Sequence, residues 1–219
     1  MKERPILMAG PLVIATMEGR KTQTRRVVNP QPIFGCDVEG LRRRFINEQD
    51  HIWICEVQRP DQDRWMPSEY YKCPYGVPGD RLWVLEATRK VGDWGSAFSA
   101  DGNPVLCTNL LTREAMPAVW PNPKRLTRPP MHMRRDWCRL ILEVTDIRVE
   151  RVQDISERDA IAEGIEQSSH TSPRYRFERL WDNINADRKD KDGNRLPYAW
   201  KDNPFIWVIS YKMLEENDV

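Results

Sequence analysis

The chain has 219 residues, 40% of them apolar and 31% charged, with nine tryptophans and a mean hydropathy of −0.69. That is length enough to bury a sizeable core as one large domain, and no apolar run reaches the roughly 18 residues a membrane helix needs. The formal net charge of +1 argues against strong non-specific DNA binding, which requires a broad excess of cations.

The first expected element is a short strand at PILM, residues 5–8. The apolar stretch of MKERPILMAG is too short for a signal peptide, so the expectation is a cytoplasmic protein, without a membrane partner. Pro11 just inside and Gly19 just past an apolar run predict a buried helix from about Pro11 to Glu18. Residues 27–45, with Pro30, Pro32 and Gly35, read as a loop, and HIWICEV (51–57) as a strand. Turn formers and aromatics fill 61–80, and Pro78-Gly79-Asp80 is a turn signal before the strand RLWVLEATR. Residues 91–123 show no sustained period and read as a long surface insertion.

CRLILEVTDIRVERV (138–152) is the longest strand pattern, with a bend expected near Asp146. Ser156 is placed as the N-cap of a helix over Glu157–Glu163 that stops at Gly164. Phe177, Leu180, Trp181 and Ile184 repeat at i, i+3, i+4, i+7 and predict an amphipathic helix. Residues 186–195 read as a solvated loop, and Asn203-Pro204 opens the last strand, FIWVISYKM. No internal repeat is present. Strands outnumber helices, which predicts an α+β fold, a small mixed or antiparallel β-barrel flanked by a few helices, rather than a doubly wound sheet.

Five cysteines (Cys36, Cys55, Cys73, Cys107, Cys138) and three histidines (His51, His132, His170) lack CxxC or ligand-like spacing. Reduced, buried thiols and no metal are expected. Charge is concentrated locally. EGRKTQTRR (18–26) carries Arg20, Lys21, Arg25 and Arg26, while KRLTRPPMHMRRDWCR (124–139) carries six cations against one anion. The first stretch reads as a solvated turn, a phosphate grip or a catalytic lysine beside a hydroxyl. In the second, Arg134 and Arg135 lie among Met131, His132, Met133 and Trp137. That mixture suits tracking a sugar-phosphate backbone and stacking bases; the equal alternative is a closing loop with Trp137 in the core. Trp83 and Trp207 lie in strand patterns and are expected in the core. Glu86 shares a strand face with Leu82 and Val84, so its carboxylate needs a partner, Lys21 or an arginine.

Five segments, GP…EGRKTQTRRVV (10–28), CPYGVPGDRLWVLEA (73–87), LEVTDIRVERVQDISERDAIAEGI (142–165), LWDNIN (181–186) and NPFIWVISY (203–211), span nearly the whole chain. In them the chain resembles the ASCH domain, a relative of the PUA fold, of the type carried by phages and prophages. The resemblance implies a single domain over 1–219 with insertions at about 31–70 and 91–135, and a PUA-like barrel whose cleft suits RNA, a nucleoside or nucleotide, or single-stranded nucleic acid, without a cofactor. One bacterial branch of the family is an amidohydrolase that removes the acetyl group of acetylcytidine. Its lysine, its threonine three residues later and its distant glutamate fall on Lys21, Thr24 and Glu163.

The chemistry is coherent. Amide hydrolysis needs a nucleophile, a base and a donor for the leaving amine. Thr24 would attack, a neutral Lys21 would take its proton, and Arg20, Arg25 and Arg26 have the sign that favours a neutral amine. Arg25 and Arg26 are also candidate nucleotide contacts. Glu163 falls off the apolar face of its helix, near a C-terminus that disfavours a carboxylate; its plain alternative is a surface glutamate. In a regular strand Lys21 and Thr24 would face opposite ways, so Lys21 is expected in the turn after Gly19. Two functions remain open, an amidohydrolase on an acylated nucleoside and a non-catalytic RNA-binding module, with a metal-independent nuclease as a variant of the first.

Overall fold

A computed structural model describes residues 1–32, 42–47, 52–58, 63–93, 95–108, 115–118, 121 and 124–214. Cys36 and His51 lie outside them. In chain order the elements are β1 (Glu3–Leu7), α1 (Gly10–Met17), β2 (Gln23–Val27), β3 (Arg42–Asn47), β4 (Ile52–Gln58), β5 (Met66–Lys72), β6 (Arg81–Leu85), β7 (Thr88–Val91), β8 (Gly95–Phe98), β9 (Leu106–Thr108), β10 (Ala115–Pro117), β11 (Thr127–Arg128), β12 (Ile141–Arg151), α2 (Glu157–Ala162), α3 (Pro173–Asn185) and β13 (Phe205–Met213). The fold is mixed α+β, dominated by strands, which among the described residues fall into four sheets. None of its described helices is long and apolar enough to cross a membrane.

The chain divides into two compact units, Met1–Thr22, Pro78–Thr145 and Tyr211–Val219 in the first, and Gln23–Val77 and Asp146–Ser210 in the second. β12 and β13 run through both.

In the first unit β1 pairs parallel to β6, which pairs antiparallel to the start of β12. Asp80 fixes the chain start: it accepts hydrogen bonds from the Lys2 backbone N–H (2.7 Å) and from Arg4 Nη1 (2.6 Å). Pro11 occupies the first turn of α1 and buries no orphaned N–H there. Gly19 ends the helix at φ +72°, a region that a side chain resists, while the Arg20 and Lys21 N–H groups both reach the Ala15 carbonyl at 2.9 Å. β11, β7 and β8 form a second sheet and β9 with β10 a ribbon. Leu85, Phe98, Val105, Ala118, Met133 and Trp137 make one core, with Trp83 and Cys138 packed against it.

In the second unit β2 pairs with β13 from Gln23↔Ser210 to Val27↔Ile206, and β3-β4-β5 form an antiparallel sheet. Val152, Ile155, Ala160, Phe177, Trp181, Trp200, Ile206 and Val208 make its core. Ser156 caps α2 as expected, its Oγ accepting from the Asp159 N–H, and Ser172 caps α3 in the same way toward Tyr175.

Four expectations are refined. Part of the 27–45 loop and of the 61–80 turn region is strand, β3 and β5. The 91–123 stretch contributes β8, β9 and β10, each only three or four residues long. β12 runs through Asp146 as one strand rather than being interrupted there, and its alternation slips at that point, where Thr145 and Asp146 are both exposed before Ile147 is buried. On α3 the inward stripe is Phe177, Trp181 and Asn185, spaced by four. Ile184 is 52% exposed, and Asn185 turns inward to donate to the Trp181 carbonyl.

Candidate functional site

The turn that begins at Gly19 delivers Lys21 just ahead of β2. The expectation that Lys21 lies in the helix-to-strand connection holds, and its side chain is 1% exposed. Thr24, on β2 opposite Ile209, is equally buried. Lys21 belongs to the first unit, and Thr24, Arg25 and Glu163 to the second. Arg20, by contrast, is exposed and pairs with Glu18 two residues back. Arg26 is half-buried and donates to the Arg25 carbonyl.

Arg25 is the centre of the second unit's polar interior. A guanidinium taken out of water must regain its hydrogen bonds and a counter-charge, and Arg25 does so on every side. Its Nη2 lies 2.8 Å from Glu150 Oε1 and 3.4 Å from Asp159 Oδ2, and its Nη1 lies 3.2 Å from Glu163 Oε1. Gln23 Oε1 accepts from Nη1 as well, and the guanidinium carbon sits 5.8 Å from the Phe177 ring centroid. Arg148 joins the same group, donating to Glu150 Oε2 at 3.2 Å and to Asp159 Oδ2 at 3.3 Å. A phosphate could reach Arg25 only by displacing these carboxylates.

Glu163 ends α2. Its N–H closes the helix on the Asp159 carbonyl and Gly164 follows at φ +89°. The surface-glutamate alternative is set aside: the residue is 4% exposed. A carboxylate at a helix C-terminus meets the negative pole of the dipole, and the Arg25 guanidinium offsets that here. Sequence reasoning missed Glu150, Arg148 and Asp159. One signal for them was available, since Asp159 and Glu163 are four apart and share a helix face.

The first unit holds a second buried carboxylate. Glu86 is 2% exposed and receives Arg139 in a two-pronged pair, Nε to Oε1 at 3.0 Å and Nη2 to Oε2 at 2.7 Å. The partner it required is therefore an arginine. Arg139 also donates to Asp101 Oδ2 at 2.7 Å and stacks 3.8 Å from the Phe98 centroid. Burial pushes the Asp101 carboxyl up, but hydrogen bonds from Arg139 and Asn103 and the Arg139 charge carry it below its ordinary value. A carboxyl held below its unfolded value stabilises the fold above that value, and the contribution is lost as pH falls through the folded one. The urea midpoints of wild type and Asp101→Asn are thus expected to differ most at pH 7 and to converge below about pH 4.

The basic segment is a surface. Arg134 pairs with Asp136 at 2.8 Å and Arg135 with Glu3 at 3.0 Å, with all four side chains at least 38% exposed. Such pairs contribute roughly 1 kcal/mol at most, so Arg134→Ala and Arg135→Ala are each expected to leave the thermal midpoint within a few degrees of wild type. Trp137 is 4% exposed within the core, so of its two readings the core one is what the fold shows, while Met131 and His132 face solvent. Trp207 is buried, and Trp83 is half-buried beneath the Arg135 guanidinium. Cys55, Cys73 and Cys138 are free thiols, and burial pushes the Cys138 thiol up, away from thiolate chemistry.

No protein-family model, curated protein or solved structure matches the chain.

Proposed function

We propose that the chain is a PUA-like protein of the ASCH type that recognises RNA or a modified nucleoside and hydrolyses the amide of an N-acylated cytidine. The observation that supports the reading is burial. Lysine, arginine and glutamate are almost never fully buried without a specific reason. Among the described residues the buried charged ones are Lys21, Arg25, Asp80, Glu86 and Glu163; Asp80 ties down the chain start through Lys2 and Arg4, and the other four are residues that the motif or the strand pattern singles out. The assignment of Lys21, Thr24 and Glu163 to one reaction comes from the resemblance. Lys21 takes the Thr24 proton, the alkoxide adds to the acyl carbon, and the Lys21 ammonium passes that proton to the departing amine, while Glu163, ionised beside Arg25, is the acceptor for the water that follows. Water then cleaves the threonyl ester, releasing the carboxylic acid and the free hydroxyl.

The test is a mass-spectrometric assay of acetylcytidine and related acylated nucleosides. Release of cytidine in step with the acid supports the reading, and no turnover across the panel overturns it.

A second reading, a non-catalytic RNA-binding module, is favoured by the exposed Arg134 and Arg135, whose weak surface partners a phosphate can replace. In that case each arginine-to-alanine change reduces the slope of log affinity against log salt by about one, measured with single-stranded RNA.

A further inference from the structure

The contacts around Arg25 close into a ring. Arg25 touches Glu150, Glu150 touches Arg148, Arg148 touches Asp159, and Asp159 touches Arg25, at 2.8, 3.2, 3.3 and 3.4 Å. Two guanidiniums alternate with two carboxylates, so the ring is neutral by count. Glu163 is the fifth member and stands outside it, reached by Arg25 Nη1 at 3.2 Å. The ring ties β2, β12 and α2 together at side-chain level, and each guanidinium is gripped from two directions. A planar fork held this way has one orientation, and the nitrogen it extends toward Glu163 is fixed with it.

We propose that Arg25 is a positioning residue, oriented by the Glu150–Arg148–Asp159 side of the ring so that it holds the Glu163 carboxylate in the geometry its reaction needs. The proposal rests on the reading above for the reaction itself, but the holding of Glu163 is a property of the second unit alone. It also gives β2 a division of labour. Arg25 faces inward as a support, and ligand contact in EGRKTQTRR falls to other residues of the stretch. Glu150 and Asp159 act through Arg25 and touch no substrate. A loosened support shifts Glu163 by a fraction of an ångström or more, and misplacement of that order slows the chemical step rather than weakening binding.

Glu150→Gln and Asp159→Asn keep shape and one acceptor oxygen, while removing one ring charge each and turning the other oxygen into an N–H donor. Two readouts are taken on full-length protein. The first is kcat and KM for acetylcytidine. The second is the Glu163 side-chain carboxyl carbon resonance, assigned by its loss in Glu163→Gln. The expected result is a fall in kcat of roughly 10- to 100-fold with KM within about twofold, together with a displaced or broadened Glu163 resonance and an intact tertiary circular dichroism spectrum. An unchanged Glu163 resonance in both variants overturns the proposal, whatever happens to kcat. A rise in KM with kcat unchanged also overturns it, since that pattern belongs to a binding residue. Should the wild type turn nothing over, the hydrolase reading fails by itself, and the resonance alone decides whether the ring holds Glu163.

Discussion

Replacing Lys21 by methionine is expected to lower kcat/KM for an N-acylated cytidine by about 10²- to 10⁴-fold, the range that a positioned proton acceptor supplies. Methionine has similar length and flexibility, and volume-conserving exchanges disturb a packed interior least. That matters because the Lys21 side chain is 1% exposed; alanine would open a cavity and confuse loss of chemistry with loss of fold. Lysine carries two properties, a positive charge and a proton that can leave. Lys21→Arg separates them, because a guanidinium keeps the charge and is not deprotonated in proteins. If Lys21 is the base, the arginine variant is as inactive as the methionine variant while retaining affinity for cytidine in a titration. If the arginine variant keeps a substantial share of turnover, the lysine works as a fixed charge and the base lies elsewhere. Full activity in Lys21→Met removes the lysine from the mechanism altogether.

Much of the scaffold around these residues is legible in the sequence, for reasons that differ by element. α1 is bounded by Pro11 and Gly19, whose backbone restrictions act locally. β6, β12 and β13 are apolar enough to read as strands. β3 is not, because RRRFIN begins with three arginines and their polarity hides the period. β8, β9 and β10 span three or four residues, which no periodicity can resolve. On α3 the stripe fails at its last turn, where Asn185 rather than Ile184 turns inward; a side-chain amide bonded back to its own helix is invisible to a hydrophobicity pattern. The site divides along the same line. GRKTQT announces itself as a dense local motif. The partners of the buried charges are remote: Arg25 meets Glu150 across 125 positions and Glu163 across 138, and Glu86 meets Arg139 across 53. A single sequence shows that a carboxylate on an apolar face must have a partner; only the fold says which.

Arg25→Met is expected to cost about 3–5 kcal/mol of stability, the range seen when one member of a buried ion pair is removed and its partners stay behind. The magnitude follows from what remains. With Arg25 in place, five side chains carry two positive and three negative charges. Without it Arg148 remains with Glu150 and Asp159, and Glu163 loses the guanidinium 3.2 Å away. Arg25 has a side chain 1% exposed, so water cannot substitute for it. Arg148 makes two contacts with the same carboxylates but is 34% exposed. Solvent screens its pairs, and Arg148→Met is expected to cost about 1 kcal/mol or less. Urea denaturation measures both. Against a total stability of roughly 5–15 kcal/mol, the Arg25 variant shifts the midpoint by about 1 M or more, and the Arg148 variant by a small fraction of that. The double variant Arg25→Met, Glu163→Gln removes a buried carboxylate together with its arginine, and it is expected to be less destabilised than the sum of the two single changes by about 0.5–3 kcal/mol. Equal costs for Arg25→Met and Arg148→Met, with strict additivity to Glu163→Gln, mean that burial rather than the ring sets the energetics of this interior, and that Glu163 keeps its place without the guanidinium.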